Sequence, residues 1–131
     1  MRPTLRSLFL ALAALVAIFV LGACQPTPEQ IAAFQEMNGL TAAASEQDLA
    51  ELRHCESTGR YDISSSNGLY HGAYQFSQRT WDDVASRWMP WLVGRSPANV
   101  TPHEQDAMAR ALLLEAGPQP WPHCGARAFS N

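Results

Sequence analysis

Ser45-Glu46-Gln47-Asp48-Leu49-Ala50-Glu51-Leu52-Arg53-His54-Cys55-Glu56-Ser57-Thr58-Gly59 is the stretch on which the reading of this chain turns. Ser45 with Asp48 three residues on matches a capping box, so a helix is expected from about residue 46 to about Glu56. At about 100° per residue, Leu49 marks the buried face, Leu52 lies roughly 60° to one side and Glu56 roughly 20° from Leu49 on that same side. A carboxylate thus ends an otherwise apolar stripe. Two readings are open: a Glu that snorkels outward at a frayed helix end, or a half-buried carboxyl whose proton is held above the usual range of about 4.3, fit to act as a general acid. Gly59 can take the left-handed conformation that closes the helix.

Outward from this helix, the 131 residues leave room for one domain and flanking sequence. Residues 1–23 read as a secretory signal: Arg2 and Arg6 precede a nearly unbroken apolar run from Leu8 to Leu21, too short for a spanning helix. Leu21-Gly22-Ala23-Cys24 has the form of a bacterial lipobox, which makes Cys24 the expected lipidation site; the bland alternative is a third thiol of a secreted protein. Residues 24–44 are expected to form a tether and a short helical spacer, with Gln25-Pro26-Thr27-Pro28 extended and Ile31, Phe34 and Met37/Asn38 patterned as a helix over about 29–40. Acylation of Cys24 would leave Cys55 and Cys124 to pair, closing a loop of about 70 residues at a gain of roughly 4 kcal/mol.

Charge narrows the partners. Loss of residues 1–23 takes two Arg and no acid, so nine basic residues become seven against twelve acids, a net charge of −5, and the chain has no Lys. Nucleic acid and anionic lipid surfaces are therefore poor partners. His54, His71, His103 and His123 fit no ligand spacing, so neither a metal nor a cofactor is expected.

Beyond the first helix, Ser64-Ser65-Ser66-Asn67-Gly68 between Tyr61/Ile63 and Leu69/Tyr70 predicts a small exposed hairpin. Gly72-Ala73-Tyr74-Gln75-Phe76 follows, with Phe76 expected in the core. Ser77 or Thr80 is expected to cap a helix running to about Trp88, with Thr80 and Asp83 matching a second capping box and Trp81, Val84 and Trp88 on one face. Met89-Pro90 ends it, and 91–100 reads as a loop. Thr101-Pro102-His103-Glu104 opens a further helix that Gly117-Pro118 stops. The domain is placed at 45–125, with 126–131 as a tail. Its size makes a covalent staple physically expected.

Cys55-Glu56-Ser57-x-Gly59, Tyr61-x-Ile63, Asn67-Gly68-x-Tyr70-x-Gly72-x-x-Gln75-Phe76, Thr80-Trp81, Glu104-Gln105 and Trp121-Pro122-x-Cys124-Gly125, taken in this order, resemble the transglycosylase-like domain of the resuscitation-promoting factors. The resemblance implies a small lysozyme-like α+β fold, mainly helical, with a short β-hairpin excursion and one disulfide, Cys55–Cys124. It implies activity on bacterial peptidoglycan, with Glu56 catalytic and Gln75, Tyr70 and Thr80 lining the glycan cleft. This chain departs from the family pattern at Asp48-Leu49, where an early aromatic is usual, at Arg60-Tyr61, which stands for Asn-Trp, and in the longer 89–100 segment carrying Trp91.

The implied reaction is cleavage of the β-1,4 bond between N-acetylmuramic acid and N-acetylglucosamine, by a lytic transglycosylase or muramidase. Glycosidases ordinarily use a second carboxylate, and Asp62 is the nearby candidate. The preferred reading needs none: the substrate's own acetamido or 6-hydroxyl group does that work, and Asp62 is a hydrogen-bonding residue of the binding site. The expected partners are peptidoglycan glycan strands, a membrane reached through the lipid anchor, and no nucleic acid, with a second cell-wall hydrolase left open. The expected location is outside the cell, on the outer face of the membrane as a lipoprotein or secreted to the wall. The non-enzymatic alternative is a surface lipoprotein that binds peptidoglycan or another protein.

Overall fold

The structure, a computed structural model, describes residues 43–130 and, before them, 27–29, 32, 35 and 36. The signal segment, the Cys24 lipobox, Gln25-Pro26 of the tether and the helix pattern at Ile31, Phe34, Met37 and Asn38 lie outside the described residues; residues 28, 29, 32, 35 and 36 are helical and exposed. No helix among the described residues is long and apolar enough to cross a membrane.

The expected first helix, α1, runs Glu46–Ser57. Its capping box is formed: Ser45 Oγ accepts the Asp48 N–H at 3.1 Å and Asp48 accepts the Ser45 N–H at 2.8 Å. Leu49 and Leu52 are fully buried. Removing two leucine side chains from water supplies about 1.5–3 kcal/mol each and fixes which face looks inward. The left-handed residue that ends α1 is Thr58 (φ 58°), ahead of Gly59 (φ 81°). A β-branched residue is strained there, and the turn is held by Thr58 and Gly59 N–H groups donating to the His54 and Arg53 carbonyls at 3.0 Å each.

The β excursion is built around Tyr70–His71 (β1), which pairs antiparallel with Phe76–Ser77 (β2) in the register Tyr70↔Ser77, His71↔Phe76. On its other side β1 meets the arm before Asn67-Gly68 through an isolated bridge, Ser64↔His71. The predicted hairpin is present, and the second, tighter connection across Gly72–Gln75 carries the regular pairing.

Helix α2 spans Gln78–Trp88. Ser77 is its cap, accepting the Thr80 N–H at 3.1 Å, so the Thr80/Asp83 box does not form: Thr80 is already inside the helix. The 91–100 segment is more ordered than a plain loop, with 3-10 turns at Pro90–Leu92 and Pro97–Asn99. Buried Leu92 and Pro97 anchor them, and Trp81 Nε1 donates to the Leu92 carbonyl at 3.1 Å. Helix α3, Pro102–Ala116, has the cap read from Thr101 and Glu104 and is buried from Ala107 to Leu113. The segment expected as a tail begins inside a further helix, α4, at Cys124–Ala128. Ala128 is buried and Phe129 packs against the core, so the domain continues to this point.

The result is a mainly helical α+β domain with one short antiparallel pair. α1 packs on α4 and α2 on α3, and Tyr74, Phe76, Trp81 and Trp121 form a cluster with ring centroids 5.4–6.5 Å apart, Phe76 meeting the other three edge-on and Tyr74 lying tilted against Trp121. The Cys55–Cys124 disulfide is formed, joining residues 69 apart in sequence.

Candidate active site

Glu56 is the last residue but one of α1, next to Cys55 of the disulfide. Its carboxyl is half-buried and makes no hydrogen bond or ion pair with the described residues. Burial without compensation raises its proton affinity above the usual carboxylate range, and the charge of nearby His123 works in the opposite direction. Of the two readings open in the sequence, the structure matches the half-buried carboxyl.

Tyr70, Gln75 and Thr80 come together in one cavity of about 160 Å³, with Phe76, Leu112 and Trp121 among its other walls. Each arrives from a different element: Tyr70 from β1, Gln75 from the turn before β2, Thr80 from the first turn of α2. Glu56 and Asp62 are not among the walls of this cavity. Asp62 has 83% of its side chain exposed and faces Arg60 at 3.9 Å. Its placement is that of a solvated surface carboxylate.

The turn that presents Gln75 is tight and strained. Gly72 has φ 77°, and a Cβ there would run into the side-chain oxygen of Gln105, so the position requires glycine. Gln75 itself has φ 52°, with its carboxamide Nε2 donating back to the Gly72 carbonyl at 2.9 Å. A non-glycine residue in that region costs on the order of 1–3 kcal/mol and persists only where its surroundings impose it.

Two residues of α3 impose it. Gln105, 1% exposed, accepts the Ala73 N–H at 2.8 Å and donates to the Tyr61 and Val100 carbonyls at 3.0 and 3.4 Å. Asp106 Oδ1 accepts from the hydroxyls of Tyr61 (2.8 Å) and Tyr74 (2.6 Å) and from Arg53 Nη1 (3.2 Å). Trp121 Nε1 donates to the Tyr74 carbonyl at 2.8 Å. The segment from Tyr61 to Gln75 is therefore moored to α1, α3 and the C-terminal stretch at once.

Sequence reasoning did not assign roles to Gln105, Asp106 or Arg53. The available signal was polar residues at positions facing the apolar side of two helices, which have to find partners when buried. A second depression, about 490 Å³, is lined by Gln47, Ala50, Glu51, His54 and Arg127. It lies on roughly the opposite face of α1 from Leu49 and Glu56 and holds none of the predicted site residues. No group of three His, Cys, Asp or Glu among the described residues is arranged to hold a metal ion.

A family model described as the transglycosylase-like domain matches residues 43–124. The chain is 33% identical over 90 residues to resuscitation-promoting factor RpfD of Mycobacterium tuberculosis, covering 69% of this chain and 53% of that protein. It is 34% identical over 90 residues to a resuscitation-promoting factor of Corynebacterium glutamicum (69% and 44% covered). With RpfC of M. tuberculosis it shares 38% identity over 75 residues (57% and 48% covered). The chain thus spans about half the length of these relatives.

Proposed function

Since the chain belongs to the transglycosylase-like domain family of the resuscitation-promoting factors, we propose that it is a lysozyme-like glycosidase acting on peptidoglycan in cell-wall remodelling, with Glu56 as its single catalytic carboxyl. The observation that carries this reading is the Glu56 carboxyl itself, half-buried at the end of α1, unpartnered and with raised proton affinity. A pure binding module has no use for such a group, which costs stability to desolvate.

The bond cut is the β-1,4 link from N-acetylmuramic acid to N-acetylglucosamine. Glu56 donates its proton to the glycosidic oxygen as the C1–O bond breaks, and the acetamido oxygen supports C1 from the other face. The muramoyl 6-hydroxyl then attacks C1 and gives its proton to the Glu56 carboxylate, which restores the acid and leaves a 1,6-anhydro end with no water consumed. Tyr70, Gln75 and Thr80 bind the glycan: an aromatic face, an amide and a hydroxyl suit an uncharged sugar chain. A two-carboxylate mechanism needs its partner about 5–9.5 Å from the acid and engaged with the substrate or its water; the solvated side chain of Asp62 gives that route little support.

Export, lipidation of Cys24 and anchoring at the outer face of the membrane belong to the same proposal. The Cys55–Cys124 disulfide suits an oxidising compartment. Mass spectrometry of the soluble products from purified peptidoglycan tests the chemistry. Muropeptides one water lighter than the reducing-end species are expected; reducing ends would make the protein a muramidase, and binding without soluble products would make it a module.

A further inference from the structure

The depression behind α1 has two walls. Gln47, Ala50, Glu51 and His54 form one, at the spacing that puts four side chains on a single helix stripe, and Arg127 of α4 forms the other. The Cys55–Cys124 bond holds the walls together: Cys55 follows His54, and Cys124 opens α4 one turn before Arg127. At about 490 Å³ the space falls within the range of sites that take small ligands.

Its charges are opposite in sign and do not meet. Arg53, Arg60, Arg87, Arg95 and Arg110 are each paired with a carboxylate. Arg127, exposed on α4, has no such partner among the described residues. Glu51 on the facing wall is likewise in no ion pair. It accepts Gln47 Nε2 at 3.3 Å, which leaves the Gln47 carbonyl oxygen and the other Glu51 oxygen as free acceptors. One wall therefore offers acceptors with a negative charge and the other a guanidinium fork suited to a carboxylate, with the Ala50 methyl group between them.

We infer that this face of α1, with Arg127, is a docking site for a peptide stem of peptidoglycan, taking the end of the stem's diamino acid where an ammonium and a carboxylate sit on one carbon. The inference rests on the proposed action on peptidoglycan, which brings such stems to the protein. The ammonium goes to Glu51 and the Gln47 carbonyl oxygen, the carboxylate to Arg127, and the methylene chain lies on Ala50. A purely anionic or purely cationic ligand would leave one wall unmatched and meet repulsion from it. The site lies across α1 from Glu56. A helix with its side chains is about 10–12 Å thick, while three extended residues span only about 10 Å. The stem therefore comes from a neighbouring glycan strand, and the site holds the protein on the wall while the cleft works.

The test uses the full chain labelled with nitrogen-15 and two soluble probes: N-acetyl-L-Ala-γ-D-Glu-meso-diaminopimelate and the same peptide ending in L-lysine, which keeps the ammonium and lacks the neighbouring carboxylate. The first probe is expected to shift the amides of Ala50, Glu51, His54 and Arg127 saturably, with Kd on the order of 1 mM, and the second to bind about fivefold or more weaker. Arg127→Ala and Glu51→Gln, both at exposed positions, should each weaken the first probe by about fivefold. They should raise KM on peptide-bearing peptidoglycan and leave cleavage of peptide-stripped glycan unchanged. Absence of shifts at these amides, equal binding of the two probes, or binding indifferent to both substitutions overturns the inference. Probe binding by a parent that releases no glycan products upholds this site and overturns the proposed reaction instead.

Discussion

The Tyr74 hydroxyl donates to Asp106 Oδ1 at 2.6 Å, and that same oxygen receives Tyr61 and Arg53. One carboxylate oxygen thus ties the strained turn that presents Gln75 to both α1 and α3. Replacing Asp106 by Asn keeps an acceptor but removes the charge that offsets Arg53, whose side chain is only 16% exposed. Asp106→Asn is expected to cost about 2–4 kcal/mol in urea unfolding, against less than about 0.5 kcal/mol for the exposed Asp62→Asn.

The same contacts make a pH prediction. Burial, reinforced by the Asp106 charge and hydrogen bond, holds the Tyr61 and Tyr74 hydroxyls well above the ordinary phenol range. Above about pH 10 the folded state therefore binds more protons than the unfolded one, so stability falls as pH rises. Ultraviolet titration should show these two tyrosines ionising only together with loss of tertiary structure. Reversible ionisation in the folded protein would contradict the network.

Removing the disulfide by Cys55→Ala with Cys124→Ala frees a loop spanning 69 residues. The expected loss is about 4 kcal/mol, a large share of a small domain's stability, or roughly 15 °C or more in Tm. Calorimetry of the double variant, with the parent in oxidised and reduced form, measures it.

Glu56→Gln should stabilise the folded protein at neutral pH. The parent's folded state holds the Glu56 proton more tightly than the unfolded chain, so the parent loses stability as pH rises from the unfolded carboxyl's range through the folded one. The glutamine variant has no such loss. Its advantage should be present at pH 7, disappear in acid, and stay small because water screens a half-exposed group. Paired thermal melts across pH 3–8 would show it.

Much of this fold was legible because local and global signals agree. The Ser45/Asp48 and Thr101/Glu104 boxes, the Leu49/Leu52 stripe and the stop at Gly117-Pro118 each announce an element that tertiary packing then confirms. Thr80/Asp83 misled because a capping box is only a spacing, and Ser77 reaches the helix start first by ending β2. The helix at Cys124–Ala128 was missed because five residues hold too few periods to read; burial of Ala128 and the bond at Cys124 make it. At the site, Glu56 was visible as an acid at the end of an apolar stripe. The roles of Gln105 and Asp106 were not, since both depend on segments some 30 to 45 residues away in sequence coming to rest against α3.

The central claim is that a single carboxyl performs the chemistry, and a side-by-side digestion of purified peptidoglycan by the parent, Glu56→Gln and Asp62→Asn tests it most directly. The account predicts that Glu56→Gln, folded as judged by circular dichroism, loses about 100-fold or more of product release, while Asp62→Asn stays within a few-fold of the parent. Retained cleavage by Glu56→Gln, or an equally complete loss in both variants, would contradict it.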